Sequence, residues 1–305
     1  MSTTGRYRIL SLDGGGIRGI YTLTLLRRLD ERVGGFLDKA DLLAGTSTGG
    51  IIALGLAAGR PLDELRSFYE EHGQEVFSDS WADNIVDVGK IIGADYSNRN
   101  LKRILTDTFG SLKLKDLERK VLIPTFDLDP GQQGGRTWKP KFFHNFTGRG
   151  SDGQEYVVDV AMRTSAAPTY FPSYQGYIDG GVVANNPGMA ALAQALDKAT
   201  GGQKLEGVRL LSLGTGLVPQ YIAGDRHDWG YAQWAKPIIS VMMDGMMGVA
   251  DYQCRKLLGR RYHRLAPVLP EPIALDAAAK VADLVRLAEA VKIADAARWI
   301  RREFG

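Results

Sequence analysis

Residues 41–59 read DLLAGTSTGGIIALGLAAG. The opening DLLAG has the look of a fully buried strand, and IIALGLAAG that of an apolar helix. Between them stands Gly45-Thr46-Ser47-Thr48-Gly49, a Gly-x-Ser-x-Gly sequence at the strand-to-helix turn. A sharp turn of this kind exposes the serine hydroxyl, and small neighbours leave room for a substrate carbonyl, so Ser47 is the candidate nucleophile. The pattern arises readily by chance in a chain with 37 glycines, so its setting decides.

Upstream, residues 7–31, YRILSLDGGGIRGIYTLTLLRRLDE, give a short strand, a glycine loop and an amphipathic helix. The two segments are successive β-to-α turns of one βαβα unit, and in an open parallel sheet the carboxyl ends of the strands share the edge where ligands bind. This predicts Gly14, Gly15 and Gly16 beside Ser47. Three glycines let amide N–H groups converge, and a helix beginning near Ile17 adds the positive end of its dipole, so the loop can hold an oxyanion. Gly14, Gly16 and Gly19 also satisfy the G-x-G-x-x-G of a dinucleotide site. That reading needs an acidic residue at the end of the second strand, where this chain has Ala44, Gly45, Thr46 and Ser47; no G-x-x-x-x-G-K-[ST] is present either. A non-catalytic nucleotide- or lipid-binding α/β protein is the alternative.

The third segment, residues 177–196, reads YIDGGVVANNPGMAALAQAL, an apolar strand ending in Asp179-Gly180-Gly181. A lone Asp-Gly is ordinarily an Asx-turn or a helix cap. Here it supplies the component that an ester hydrolase still lacks, a group to take the serine proton, beside a nucleophile and oxyanion donors. An aspartate with its ordinary pKa of about 3.9 is a weak base at neutral pH unless burial raises it. A triad would recruit His72, His144, His227 or His263. The order Ser, Asp, His is formally available with His227 or His263, but α/β-hydrolases place the nucleophile after several strands, whereas Ser47 follows the second.

Asp-Gly-Gly-Gly-x-Arg-Gly, Gly-x-Ser-x-Gly and Asp-Gly-Gly in this order resemble the signature of the patatin-like phospholipases. The resemblance covers most of residues 7–216 and takes in DVAMRTSAAPTYFPSY (159–174), ANNP (184–187) and RLLSLGTG (209–216). It implies the three-layer patatin-like α/β fold, with Ser47 as nucleophile, Asp179 as its base, and an oxyanion hole at Gly14, Gly15 and Gly16 with Arg18 at the arginine of the motif. It further implies hydrolysis of fatty acyl esters of phospholipids or related lipids through an acyl-enzyme, with no metal and no cofactor. Some bacterial relatives stay inactive until a partner or a cyclic nucleotide switches them on; no segment here identifies such a site.

With 305 residues, 44% hydrophobic, and neither linker nor repeat, the chain reads as one α/β domain over 1–305, with a motif-bearing core at about 7–216 and a mostly helical part at about 217–305. Further strands are expected at 121–128, 141–146 and 209–216, and helices after Pro61, after Asn98, from Pro187 and over 280–304. Their alternation predicts a mainly parallel sheet covered by helices on both faces. Cys254 is the sole cysteine, which excludes an internal disulfide. The N-terminus lacks the plan of a signal peptide, and no apolar run reaches the roughly 18 residues of a membrane span, which predicts a soluble, cytoplasmic protein that visits lipid peripherally. A net charge of +3 argues against nucleic-acid binding, and no D-x-[DN]-x-[DN]-G marks a calcium site.

Two regions are candidates for lipid contact. In residues 236–265, Met242, Met243, Met246 and Met247 recur at helical spacing before a basic cluster of Arg255, Lys256, Arg260, Arg261 and Arg264. A plain core helix followed by a solvated loop is the favoured reading of that stretch. The other is residues 79–96, with Trp81, Ile85, Val86, Ile91 and Ile92, a candidate cap over the site.

Overall fold

A computed structural model describes residues 5–76, 97–131, 136–148, 150–224, 228–234 and 237–305. The expected cap at 79–96 lies outside the described residues. The buried apolar runs form β1 (Tyr7–Leu12), β2 (Leu42–Gly45), β3 (Lys120–Asp127), β4 (Lys139–His144), β5 (Tyr177–Asp179), β6 (Val208–Leu213) and β7 (Tyr262–Leu265). The helices that carry the layers are α1 (Gly19–Val33), α2 (Thr48–Ala57), α3 (Leu62–Val76), α4 (Asn98–Phe109), α5 (Val157–Thr164), α6 (Gly188–Leu196), α7 (Ile238–Leu258), α8 (Val281–Ala290) and α9 (Ala294–Glu303).

The sheet runs β4-β3-β2-β1-β6-β7, with β5 also paired to β3. The β3-β2-β1-β6-β7 neighbours are parallel, and only β4 and β5 run against β3. Successive strand residues serve opposite faces, as the pleat dictates. Leu10, Leu43, Val121 and Leu211 join α1 to α5, α8 and α9 in one core, while Ile9, Leu42, Leu122 and Leu210 meet α6 and α7 in the other. The expected mainly parallel sheet with helices on both faces is what forms.

Register explains how residues far apart in sequence reach one edge. Leu12 pairs with Gly45, so the ends of β1 and β2 are level and the glycine loop emerges beside the serine turn. Along one side of β3, β2 pairs at Leu42–Ala44 with Lys120–Leu122, and β5 arrives from the opposite direction, with Asp179 against Thr125. Thr125 lies three residues past Leu122 and Ser47 three past Ala44, so the two strands meet tip to tip with Ser47 and Asp179 at one level.

The C-terminal part departs from expectation at two points. The stretch after α7, read as a solvated basic loop, contains β7, which extends the sheet beyond β6. Arg264 on β7 is buried rather than solvated, and Arg261 donates to the Leu205 carbonyl, so two members of the basic cluster turn inward. The helical stretch at 280–304 is divided at Val291, whose backbone is extended, and Arg28 of α1 donates to the Ala288 and Val291 carbonyls where α8 ends. Among the described residues, no helix is long and apolar enough to cross a membrane.

Candidate active site

Ser47 occupies the N-cap of α2 with φ 54° and ψ −124°, a conformation that a residue with a side chain adopts at a cost of about 1–3 kcal/mol. The turn is held tightly enough to impose it. A Cβ on Gly45 would lie 2.0 Å from the Gly49 carbonyl oxygen, and one on Gly49 would lie 2.3 Å from the Leu12 carbonyl oxygen. Both glycines of Gly-x-Ser-x-Gly are therefore required by close backbone approach. The Ser47 N–H donates to Thr164 Oγ1 at 3.0 Å, and that hydroxyl donates to the Pro124 carbonyl at 2.6 Å, which ties the turn to β3.

Asp179 is 5% exposed, and its carboxylate lies against the Ser47 hydroxyl. Burial pushes its carboxyl up to about 6, against the opposing pull of the Ser47 hydroxyl and the Gly181 N–H. That N–H donates to Asp179 Oδ1 at 2.6 Å, so the glycine turn fixes the carboxylate as an Asx-turn would. The same geometry forms the ordinary turn of Asp-Gly-Gly and sets the carboxylate against Ser47.

The glycine loop is more selective than its sequence implied. The Gly14 N–H is consumed by the Asn185 carbonyl at 3.0 Å, and Thr215 Oγ1 donates to the Gly14 carbonyl at 3.0 Å. Ile17 and Arg18 donate to the Leu275 and Gly15 carbonyls. The N–H groups of Gly15 and Gly16 have no acceptor among the described residues, so they are the donors free to meet an oxyanion. Arg18 is buried, and its guanidinium reaches the Gly15 and Gly216 carbonyls at 3.4 Å each, bracing the loop. Beneath it, Asp13 pairs with Arg264 of β7 at 2.5 Å, and Arg264 also donates to Ser212 Oγ at 2.7 Å.

Ser47, Asp179, the glycine loop, Arg18, Asn185 and Thr215 border one cavity of about 700 Å³. Its lining includes the apolar Phe171, Ile273, Leu275, Met243 and Met247 beside the polar Arg18, Gln220, Ser240 and Asp244. The methionine stripe is thus divided: Met243 and Met247 line the cavity, while Met242 is 56% exposed on the outside of α7. Neither a core helix nor a simple surface helix describes α7.

None of the described histidines lines the cavity. His72 sits on α3 with Glu75, His144 is buried in β4, and His263 stacks on Trp299. His227 lies outside the described residues. Among the described residues, no group of three or more His, Cys, Asp or Glu could hold a metal. Thr164, Asn185, Thr215 and Arg264 went unread as site residues. The first three lie in the quoted TSAAP, ANNP and GTG stretches, while Arg264 carried no signal beyond its charge.

Residues 10–192 match the family model Patatin-like phospholipase. A cGAMP-activated phospholipase of Pseudomonas aeruginosa (strain BWHPSA011 / Pa011) is 33% identical over 265 residues, covering 85% of this chain and 78% of that protein. Protein teg of Priestia megaterium is 30% identical over 325 residues, covering 98% of this chain and 99% of that protein. Patatin-like protein 2 of Arabidopsis thaliana is 30% identical over 294 residues, covering 80% and 70%. With the matched segment running from β1 through the serine turn and Asp179 into α6, the chain belongs to the patatin-like phospholipase family, and its activity is that of a lipid hydrolase.

Proposed function

We propose that this chain is a serine lipid acyl hydrolase working through Ser47 and Asp179 alone. The observation that carries the reading is the buried Asp179 carboxylate, raised to about 6, against the hydroxyl of Ser47. Such a base is ionised at neutral pH yet far more basic than an ordinary carboxylate. Asp179 takes the hydroxyl proton as Ser47 Oγ bonds to the acyl carbon. The carbonyl electron pair moves onto the oxygen, where the Gly15 and Gly16 N–H groups meet the new charge. Collapse expels the alcohol, which takes the proton from Asp179 and leaves an acyl-Ser47 for water to cleave. Nucleophile, base and donors are all protein groups, so the cycle is written without calcium or any cofactor.

The apolar lining at Met243 and Met247 suits a fatty acyl chain, and the outer face of α7, with Val241, Met242, Val249 and Tyr252 exposed, suits peripheral contact with a lipid surface. We take residues 1–305 as one patatin-like domain. Relatives named cGAMP-activated phospholipase make a cyclic nucleotide the activator to add to the assay.

The test is a fluorophosphonate label with the adduct located by mass spectrometry, together with Ser47→Ala and Asp179→Asn. Both substitutions should abolish hydrolysis of p-nitrophenyl esters and of dispersed phospholipid, and the label should sit on Ser47. Wild-type kcat/KM should fall as pH drops through about 6, where Asp179 gains its proton. Stability provides the control. Because the folded pKa lies above the unfolded value, the proton is held more tightly in the native state, and wild-type stability falls as pH rises from about 4 through 6. Asp179→Asn escapes that loss. It should be more stable than wild type at pH 8, by up to about 3 kcal/mol, and not at pH 4. An inactive Asp179→Asn that also melts early at pH 8 would point to misfolding instead of a lost base.

A further inference from the structure

Asn185 follows directly on the short helix Gly181–Ala184 that begins after the Asp179 turn, and it is 4% exposed. Its backbone carbonyl holds the Gly14 N–H. Its side chain is unevenly satisfied: Nδ2 donates to Met247 Sδ at 3.1 Å, while Oδ1 is buried with no donor among the described residues. A buried carbonyl left without a donor is costly, and native proteins keep one mainly where something else supplies the hydrogen.

The orphaned oxygen sits in the catalytic corner. It lies 2.3 Å from the point where a Cβ on Gly14 would stand, and Ser47 Cβ lies 3.3 Å from that same point. It lies 3.2 Å from the equivalent point on Gly181, where Asp179 Oδ1 is at 3.1 Å. Asn185 Oδ1 therefore shares the open side of Gly14 with the candidate nucleophile and the open side of Gly181 with its base. All of these residues line the same cavity.

We propose that Asn185 orients the water that cleaves the acyl-enzyme; this rests on the reading of Ser47 as the nucleophile. A water molecule has two O–H bonds. Asp179 takes the proton from one, and the second needs an acceptor if the remaining lone pair is to face the acyl carbon. Asn185 Oδ1 has no donor among the described residues; packed against Gly14, it reaches the water by turning from that contact toward the cavity its residue borders. The water O–H bond breaks toward Asp179 as its oxygen bonds to the acyl carbon, and the carbonyl electron pair moves onto the oxygen at Gly15 and Gly16. The intermediate then collapses, the bond to Ser47 Oγ breaks, and Oγ recovers the proton from Asp179 while the fatty acid leaves. Acylation has no such requirement, because the serine hydroxyl has one proton and hands it straight to Asp179. The role of Asn185 is thus confined to the second half of the cycle.

Asn185→Leu, which keeps the backbone carbonyl on Gly14, and Asn185→Ala test this by stopped flow on p-nitrophenyl butyrate. The release of p-nitrophenol during the first turnover should stay within about threefold of wild type, and deacylation should slow by about 10- to 100-fold, the worth of one directed hydrogen bond. A burst should then precede slow turnover, and mass spectrometry should find butyryl on the Ser47 peptide. Fluorophosphonate labelling, which needs no water, should proceed at the wild-type rate in whichever variant melts like wild type. Equal slowing of acylation and deacylation would overturn the proposal, since the amide would then be serving the oxyanion through its N–H groups, and so would unchanged deacylation. Failure of wild-type Ser47 to label or acylate would instead remove the underlying reading.

Discussion

The two turns that face each other at Ser47 are built by different means. The serine turn is shaped mainly by close backbone approach: Gly45 is forced by Gly49, and Gly49 by Leu12 at the end of β1, with Thr46 Oγ1 donating to the Ala184 carbonyl at 2.6 Å. The glycine loop leans on distant parts of the chain. Asn185 takes the Gly14 N–H, Thr215 holds the Gly14 carbonyl, Leu275 accepts from Ile17, and Arg264 pairs with Asp13. A nucleophile can thus be encoded within a few residues. Donors aimed at transition-state charge need a scaffold gathered from the whole fold, because their direction and not their mere presence matters.

The largest test of this contrast is Arg264→Met. Arg264 and Asp13 are 7% and 1% exposed in their side chains, and burial pushes the Asp13 carboxyl up while the guanidinium holds it down. Removing the cation strands an acid beneath the glycine loop, at a cost of about 3–5 kcal/mol in urea unfolding. Asp13→Asn combined with Arg264→Met should recover most of that loss, since no charge is then left unpaired. A single variant costing less than about 1 kcal/mol would mean that the loop does not lean on β7.

This division also accounts for what could be read in advance. The elements at 7–31, 41–57 and 177–196 were legible because each carries its own apolar period and its own turn residues. β7 was not, since Tyr262–Leu265 carries His263 and Arg264 among its four residues, and their burial depends on Asp13, Ser212 and Trp299 from elsewhere. Similarly, three glycines predict a loop of convergent N–H groups, but nothing in them foretold that the Gly14 N–H is taken by Asn185. That pairing follows from the sheet register, which no local pattern encodes.

A second test acts on the loop itself. A substitution at Gly15 is resisted at once by packing. The first atom a Cβ would meet is Thr215 Oγ1 at 2.2 Å. Gly15→Ala should push the loop off Thr215 and misdirect the free N–H groups. We expect kcat to fall by about 10²-fold with little change in KM, because the donors meet charge that exists only in the transition state. Thermal melting should accompany the kinetics. A stable Gly15→Ala protein with wild-type kcat would show that the loop tolerates displacement and that its distant props are structural only.

The smallest effect should come from Thr164, one of the places where the serine turn leans outward, as Thr46 does on the Ala184 carbonyl. Thr164 Oγ1 receives the Ser47 N–H and donates to Pro124, its own carbonyl accepts from Gly180 at 3.4 Å, and the Ala166 carbonyl accepts from Asp179 at 2.9 Å. Residues 164–166 therefore clamp the serine turn and the aspartate turn to each other and to β3. Thr164→Val keeps the shape and deletes the hydroxyl, leaving the Ser47 N–H and the Pro124 carbonyl without this partner, at a cost of about 1–3 kcal/mol of stability. If that bond also helps hold Ser47 at its unfavourable φ, the turn relaxes and kcat falls by about tenfold while KM stays level. Thr164→Ser, which restores a hydroxyl, should recover both quantities. Lost stability with unchanged kcat would show that Ser47 keeps its conformation without Thr164, and the contrast between the two turns would then be sharper than that hydrogen bond implies.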